Sequence, residues 1–212
     1  MPVRHRTTRK SRTLRTTGAV IVGAVLAAGV SGGIAHADTH QNTSHSNVAK
    51  AASAQAIINL AKAQIGITEN SAGGGTKFQQ WYASTNQARL TVQRDGGAVA
   101  DYVNAAWCDM FVSWLGAQTG AKGFGADAYT IEHAKWFQKQ GRWGNTPKPG
   151  AVVFYSMNGS GGIDGIDHVG LVVQDNGDGT IQSVEGNTSN AVLEQQRPTS
   201  LVVGYGYPAY LK

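Results

Sequence analysis

The spacing of hydrophobic positions changes period near residue 150. Before it, Ile57, Leu60, Ala61 and Ile65 recur at helical spacing within Val48 to Ile65, and Gly66 stops the run. The segments Lys77 to Ser84, Ala98 to Gly120 and Thr130 to Gln140 also read as helices, with glycine-bearing loops at 73–75 and 96–97 between them. Pro147 to Gly150 then breaks the pattern. Five strands are expected beyond it, at Ala151–Tyr155, Val169–Gln174, Thr180–Val184, Val192–Gln196 and Leu201–Tyr207. Helices first and strands second predict an α+β domain, with N-terminal helices packed on a C-terminal antiparallel sheet.

The first residues follow other rules. Arg4, Arg6, Arg9, Lys10, Arg12 and Arg15 precede an apolar run from Gly18 to Val30, and Ala35-His36-Ala37 sets small residues at −3 and −1 of a cleavage point. The run is shorter than the roughly 20 residues a membrane span needs, so residues 1–37 read as a secretory signal cleaved after Ala37. No cysteine lies near that point to take a lipid. A freely released product is therefore expected, extracellular or wall-associated, with no membrane attachment after cleavage. Residues 38–50 read as a polar linker and 51–212 as one domain.

Charge changes meaning once this signal is set aside. The chain is formally +5, from 18 Lys and Arg against 13 Asp and Glu. Six of those positives and no acid precede residue 38, which leaves twelve positives against thirteen acids. Nucleic-acid binding loses its support. The early glycine clusters lack the Lys-Ser/Thr of a phosphate-binding loop and follow no strand, so they read as turns.

Cys108 is the only cysteine, which excludes an internal disulfide and any cysteine-cluster metal site. Positions 108, 111, 112 and 115 form one apolar helical stripe, and by periodicity alone Cys108 is a core residue. Its place in the first turn of a helix argues otherwise, because the helix N-terminus stabilises a thiolate. A nucleophilic thiol needs a base. His168 opens the run Asp167-His168-Val169-Gly170-Leu171-Val172-Val173.

The next run, Thr180 to Asn187, is joined through Asp175-Asn176-Gly177-Asp178-Gly179, a strong hairpin turn. A four-residue loop at 176–179 sets Asp175 opposite Thr180, Gly170 opposite Glu185 and His168 opposite Asn187. His168, Glu185 and Asn187 then share one face, and Gly170 leaves room for Glu185 to reach the imidazole diagonally. A carboxylate on the far imidazole nitrogen fixes the tautomer and favours the imidazolium formed when a thiol gives up its proton. Trp107, Tyr102 and Trp143 are candidates to line a substrate groove, and His133 reads as a surface residue of its helix.

The segments Trp107-Cys108-Asp109-Met110-Phe111-Val112-Ser113-Trp114, Pro147-Lys148-Pro149-Gly150, Asp167-His168-Val169-Gly170 and Val184-Glu185-Gly186-Asn187 together resemble the CHAP family, the cysteine, histidine-dependent amidohydrolases/peptidases. The resemblance runs from about Lys62 to Tyr207. It implies a papain-like α+β fold and cleavage of amide bonds in peptidoglycan, either the muramoyl–alanine amide or a stem-peptide bond. It also implies Cys108 as nucleophile, His168 as general base, Glu185 as the orienting acid and Asn187 as a supporting polar residue. No metal or organic cofactor is required, and a monomer is expected. Ala151 stands where the family often has Asp, and no acidic calcium loop precedes Cys108. A catalytically silent module that binds wall peptide with the same fold is the alternative, along with a related peptidase family in which a second His orients the base.

Overall fold

The computed structural model describes residues 53–159 and 161–211, so the expected signal at 1–37 and linker at 38–50 lie outside the described residues. Within the unit that contains them, five α-helices precede most of the sheet: α1 Ala54–Lys62, α2 Lys77–Ser84, α3 Asn86–Asp95, α4 Cys108–Thr119 and α5 Thr130–Lys139. The strands are β1 Trp143–Gly144, β2 Val152–Tyr155, β3 His168–Asp175, β4 Thr180–Thr188, β5 Ala191–Pro198 and β6 Val202–Gly206. They form one antiparallel sheet in the order β1-β6-β2-β3-β4-β5. The α+β arrangement is the expected one. None of the described helices is long and apolar enough to cross a membrane.

Local chemistry explains the helix boundaries. α2 begins in a capping box, where the Thr76 hydroxyl accepts from the Gln79 amide and Gln79 Oε1 accepts from the Thr76 amide. The expected helix at Ala98–Gly120 is two elements, a 3-10 turn at Val99–Asn104 and then α4, which ends at Gly120 in the left-handed region (φ 63). α3 has no counterpart among the expected elements. It is polar along most of its length, but Thr85 caps it by accepting from the Ala88 amide, and Ala88 and Thr91 anchor its inner face.

α4 is the centre of the domain. Cys108 to Ser113 are buried without interruption, and the helix packs on β3 and β4 as well as α1 and α2. Phe78, Phe111, Leu115 and Phe137 from the helices meet Val152, Phe154, Val169, Leu171 and Val184 of the sheet in one core. Ala151, Val153, Tyr155, Val172, Ile181 and Tyr205 form a second cluster on the other face. This alternation decides the site, because His168 and Glu185 belong to the polar end of that second face.

Candidate active site

Cys108 is the first residue of α4, with Trp107 at the N-cap. It is 8% exposed. Burial pushes its thiol up, Asp109 and Glu185 push it further, and the amides of Cys108 and Asp109 offset only part of this, leaving it raised to about 12. The sequence-based expectation of an acidified thiol is therefore reversed in the resting structure: desolvation outweighs the helix N-terminus. Among the described residues no hydrogen bond joins Cys108 to His168.

The hairpin brings His168 and Glu185 together. Near the site the ladder pairs Leu171 with Val184 and Val172 with Ser183, as expected from the turn. At the loop it pairs Asp175 with Ile181, so the loop spans 176–180 and is one residue longer than expected. A bulge between Val172 and Gln174 absorbs the extra residue and restores the register before the site. A side chain at Gly170 would put its Cβ 2.8 Å from Glu185 Cγ, which is why the glycine is needed there.

His168 Nε2 donates to Glu185 Oε2 at 2.9 Å, and the imidazole stacks on Tyr155, its partner across β2 and β3. Glu185 has no exposed surface. Its carboxylate also accepts from Arg197 Nε (3.0 Å) and Nη2 (2.7 Å), from Ser183 Oγ (2.7 Å) and from Thr188 Oγ1 (3.1 Å). Tyr155 in turn donates to Ser183 Oγ at 2.9 Å. Burial alone would push Glu185 up; the bonds from His168 and Arg197 overcome it and hold the carboxyl at about 2. Glu185 is thus an anion with fixed orientation, and with Nε2 bound to it, Nδ1 is the imidazole nitrogen left to exchange a proton.

Asn187 departs from its expected place opposite His168. It adopts a left-handed conformation (φ 59) at a bulge in the β4–β5 ladder between Glu185 and Thr188. Asn187 lines a shallow pocket with His168, Met157, Asp167, Thr188 and Arg197, but the hydroxyl beside the imidazole belongs to Thr188, 3.4 Å from Nε2. The bulge thus sets Thr188 beside the imidazole.

The three aromatic groove candidates separate. Trp107 is fully buried, stacks on Phe78 and donates Nε1 to Glu69 at 2.7 Å, so it has no face for a substrate. Trp143 sits on the edge strand β1, against Phe154 and over Gly204, where it fills core space away from β3. Tyr102 does line a pocket, with Ala105, Ala106, Met110, Ala128 and Tyr129, and it abuts the first turn of α4. The pocket is mainly apolar.

Two groups escape sequence reasoning. Arg197 reaches Glu185 from β5, where it pairs with Ile181 four residues away, and no motif marks it. His133 is 1% exposed rather than on the surface. A signal for its burial is present: Thr130, His133, Ala134 and Phe137 follow the spacing of a buried helical stripe. Its Nδ1 meets Asp109 Oδ1 at 2.7 Å, in the same turn as Cys108.

No curated protein and no solved structure matches the chain. A family model does match, described as the CHAP domain, over residues 99–187. That span opens at the turn before α4 and closes at Asn187, taking in Cys108, His168 and Glu185 while leaving out Arg197. A lone cysteine heads a helix packed on the strands that carry a histidine–glutamate pair, and residues 99–187, which hold all three, match the CHAP domain.

Proposed function

We propose that the protein is a secreted, thiol-dependent peptidoglycan hydrolase. CHAP domains are cysteine, histidine-dependent amidohydrolases and peptidases, and the observation that carries the finer reading is the His168–Glu185 pair beside the head of α4. Cys108 Sγ attacks an amide carbonyl while His168 Nδ1 takes the thiol proton. Glu185 stabilises the resulting imidazolium, and the α4 N-terminal amides stabilise the oxyanion. The imidazolium returns the proton to the leaving amine, and water then releases the acyl group from sulfur with His168 again as base. The atoms balance with no added oxidant or reductant.

The neutral resting thiol fits this sequence, because proton transfer accompanies attack rather than preceding it. The apolar pocket at Tyr102 and Met110 suits small uncharged side chains, such as the alanines of a stem peptide, next to the scissile bond. Glu185 itself does not titrate during turnover. Held at about 2, its carboxylate is far too weak a base to take the proton from an imidazolium.

The raised thiol also favours a second reading, a wall-peptide-binding module without turnover. Purified residues 38–212 should release soluble fragments from peptidoglycan, and Cys108→Ala should abolish that release. A binding module would instead retain wall sediment affinity in both forms with no release from either. Mass spectrometry of fragments from a defined peptidoglycan identifies the bond, since each cleavage leaves a different new terminus.

A further inference from the structure

His133 and Asp109 make a second histidine–carboxylate pair that the proposed reaction does not use. Both side chains have no exposed surface. His133 Nδ1 meets Asp109 Oδ1 at 2.7 Å, and His133 Nε2 lies 2.9 Å from the Phe124 carbonyl oxygen. A carbonyl only accepts, so Nε2 carries a proton. A second proton must then lie between Nδ1 and Asp109, since two bare acceptors at that distance would repel.

The surroundings give this proton few competitors. Phe137 stacks on the imidazole, while Phe154 of β2 and Trp136 meet it edge-on. Asp127 is the other nearby acid, held by two hydrogen bonds from Arg94 of α3. Tyr82 of α2 is bonded to Thr91, its hydroxyl kept protonated by burial. Asp109 Oδ2 is buried and has no hydrogen-bond partner among the described residues. An orphaned carboxylate oxygen in the turn that carries the nucleophile needs explaining, because a half-satisfied buried anion is costly.

We propose that Asp109 and His133 are positioning residues for Cys108: they share one proton as an Asp109⁻–His133⁺ pair that clamps the first turn of α4 to α5, and the carboxylate charge adds to burial in keeping the resting nucleophile a thiol. The orphan Oδ2 is the part of that charge that His133 does not cover. Burial pushes Asp109 up. Burial also opposes the His133 charge, but Asp109 and the Phe124 carbonyl outweigh it, so the pair as a unit holds its proton upward in pH. Glu185 acts on the sulfur in the same direction but less than Asp109, and its own charge is compensated by Arg197. A resting thiol is also a poor target for oxidants, a consequence for any protein that works outside the cell.

This inference rests on Cys108 being the nucleophile only for its purpose; the charge relation is tested without turnover. Nitrogen-15 imidazole spectra of the full domain, with His133 assigned through His133→Gln, should show both ring nitrogens protonated from about pH 5 to pH 8 in the wild type. In Asp109→Asn, His133 should become a neutral ring protonated on Nε2, because the new side-chain amide can donate to Nδ1 and the geometry survives. Cys108 is the only thiol, so its iodoacetamide alkylation reads one site. At about pH 8, Asp109→Asn should react about tenfold faster than the wild type, the equivalent of a one-unit fall in thiol acidity constant. A neutral wild-type His133, or a folded Asp109→Asn with an unchanged alkylation rate, overturns the proposal. Should Asp109→Asn fail to fold, the wild-type spectra decide alone, and neither result touches the hydrolase reading.

Discussion

The domain contains two histidine–carboxylate pairs, and the difference between them lies in the carboxylate rather than in the histidine. Glu185 is surrounded by donors from β3, β4 and β5, and Arg197 neutralises it. Among the described residues, Asp109 has one side-chain partner and one oxygen without any. His168 keeps part of its surface on a pocket, whereas His133 has none. A saturated carboxylate holds its imidazole in place and leaves the other nitrogen free for exchange. An unsaturated one holds on to a proton and projects residual charge at its neighbour. A histidine and a carboxylate therefore give the proposed base in one place and the proposed electrostatic element in the other.

Breaking the first pair should have the largest effect. Replacing His168 by Ala is expected to lower kcat for fragment release by about three orders of magnitude or more, as for other residues of a nucleophile–base unit. Glu185→Gln should cost on the order of a hundredfold or more, with KM changed little, because it removes the imidazolium's partner and not a substrate contact. Steady-state kinetics on a soluble muropeptide separates the two constants.

Acid unfolding sharpens the contrast. The folded-state pKa of Glu185 lies below its ordinary 4.5, at about 2, so the stability it contributes is present above pH 4.5 and is lost as pH falls towards 2. The size is about 3 kcal/mol, from the shift at about 1.4 kcal/mol per pH unit. Arg197→Met should move acid unfolding to higher pH, since burial then acts against the carboxylate with two fewer donors. Circular dichroism against pH measures it, and coincident wild-type and variant curves would break the comparison.

A smaller effect comes from Gly186, where an added Cβ would lie 2.6 Å from Phe111 Cβ and 2.9 Å from the Trp107 ring. Gly186→Ala should destabilise the domain by about 1–3 kcal/mol through overpacking, read as a lower midpoint in urea. It would also push β4 away from α4, and so separate Glu185 from Cys108.

How much of this is legible in the sequence depends on the range of the interaction. The helix at 77–84 and the strand pair around His168 and Glu185 follow from local spacing and from the chemistry of one turn. The register near the site matches expectation although the turn does not, because the bulge at Val173 cancels the extra loop residue. Asn187 is displaced by a second bulge that a pattern of period two cannot reveal. Arg197 comes from a different strand pairing, at a distance no local rule covers. The thiol runs against its sequence-based expectation because a helix N-terminus is visible in sequence, while the desolvation that overrides it is a property of the packed core.

The central claim is that Cys108 becomes covalently acylated, with His168 as its base. The most direct measurement is the intact mass of the protein, acid-quenched during turnover of a defined muropeptide, with the adduct located by peptide mapping. The account predicts an added acyl mass on the peptide that carries Cys108, absent from Cys108→Ala and scarce in His168→Ala. Fragment release that proceeds with no adduct on Cys108, and that survives in Cys108→Ala, would contradict it.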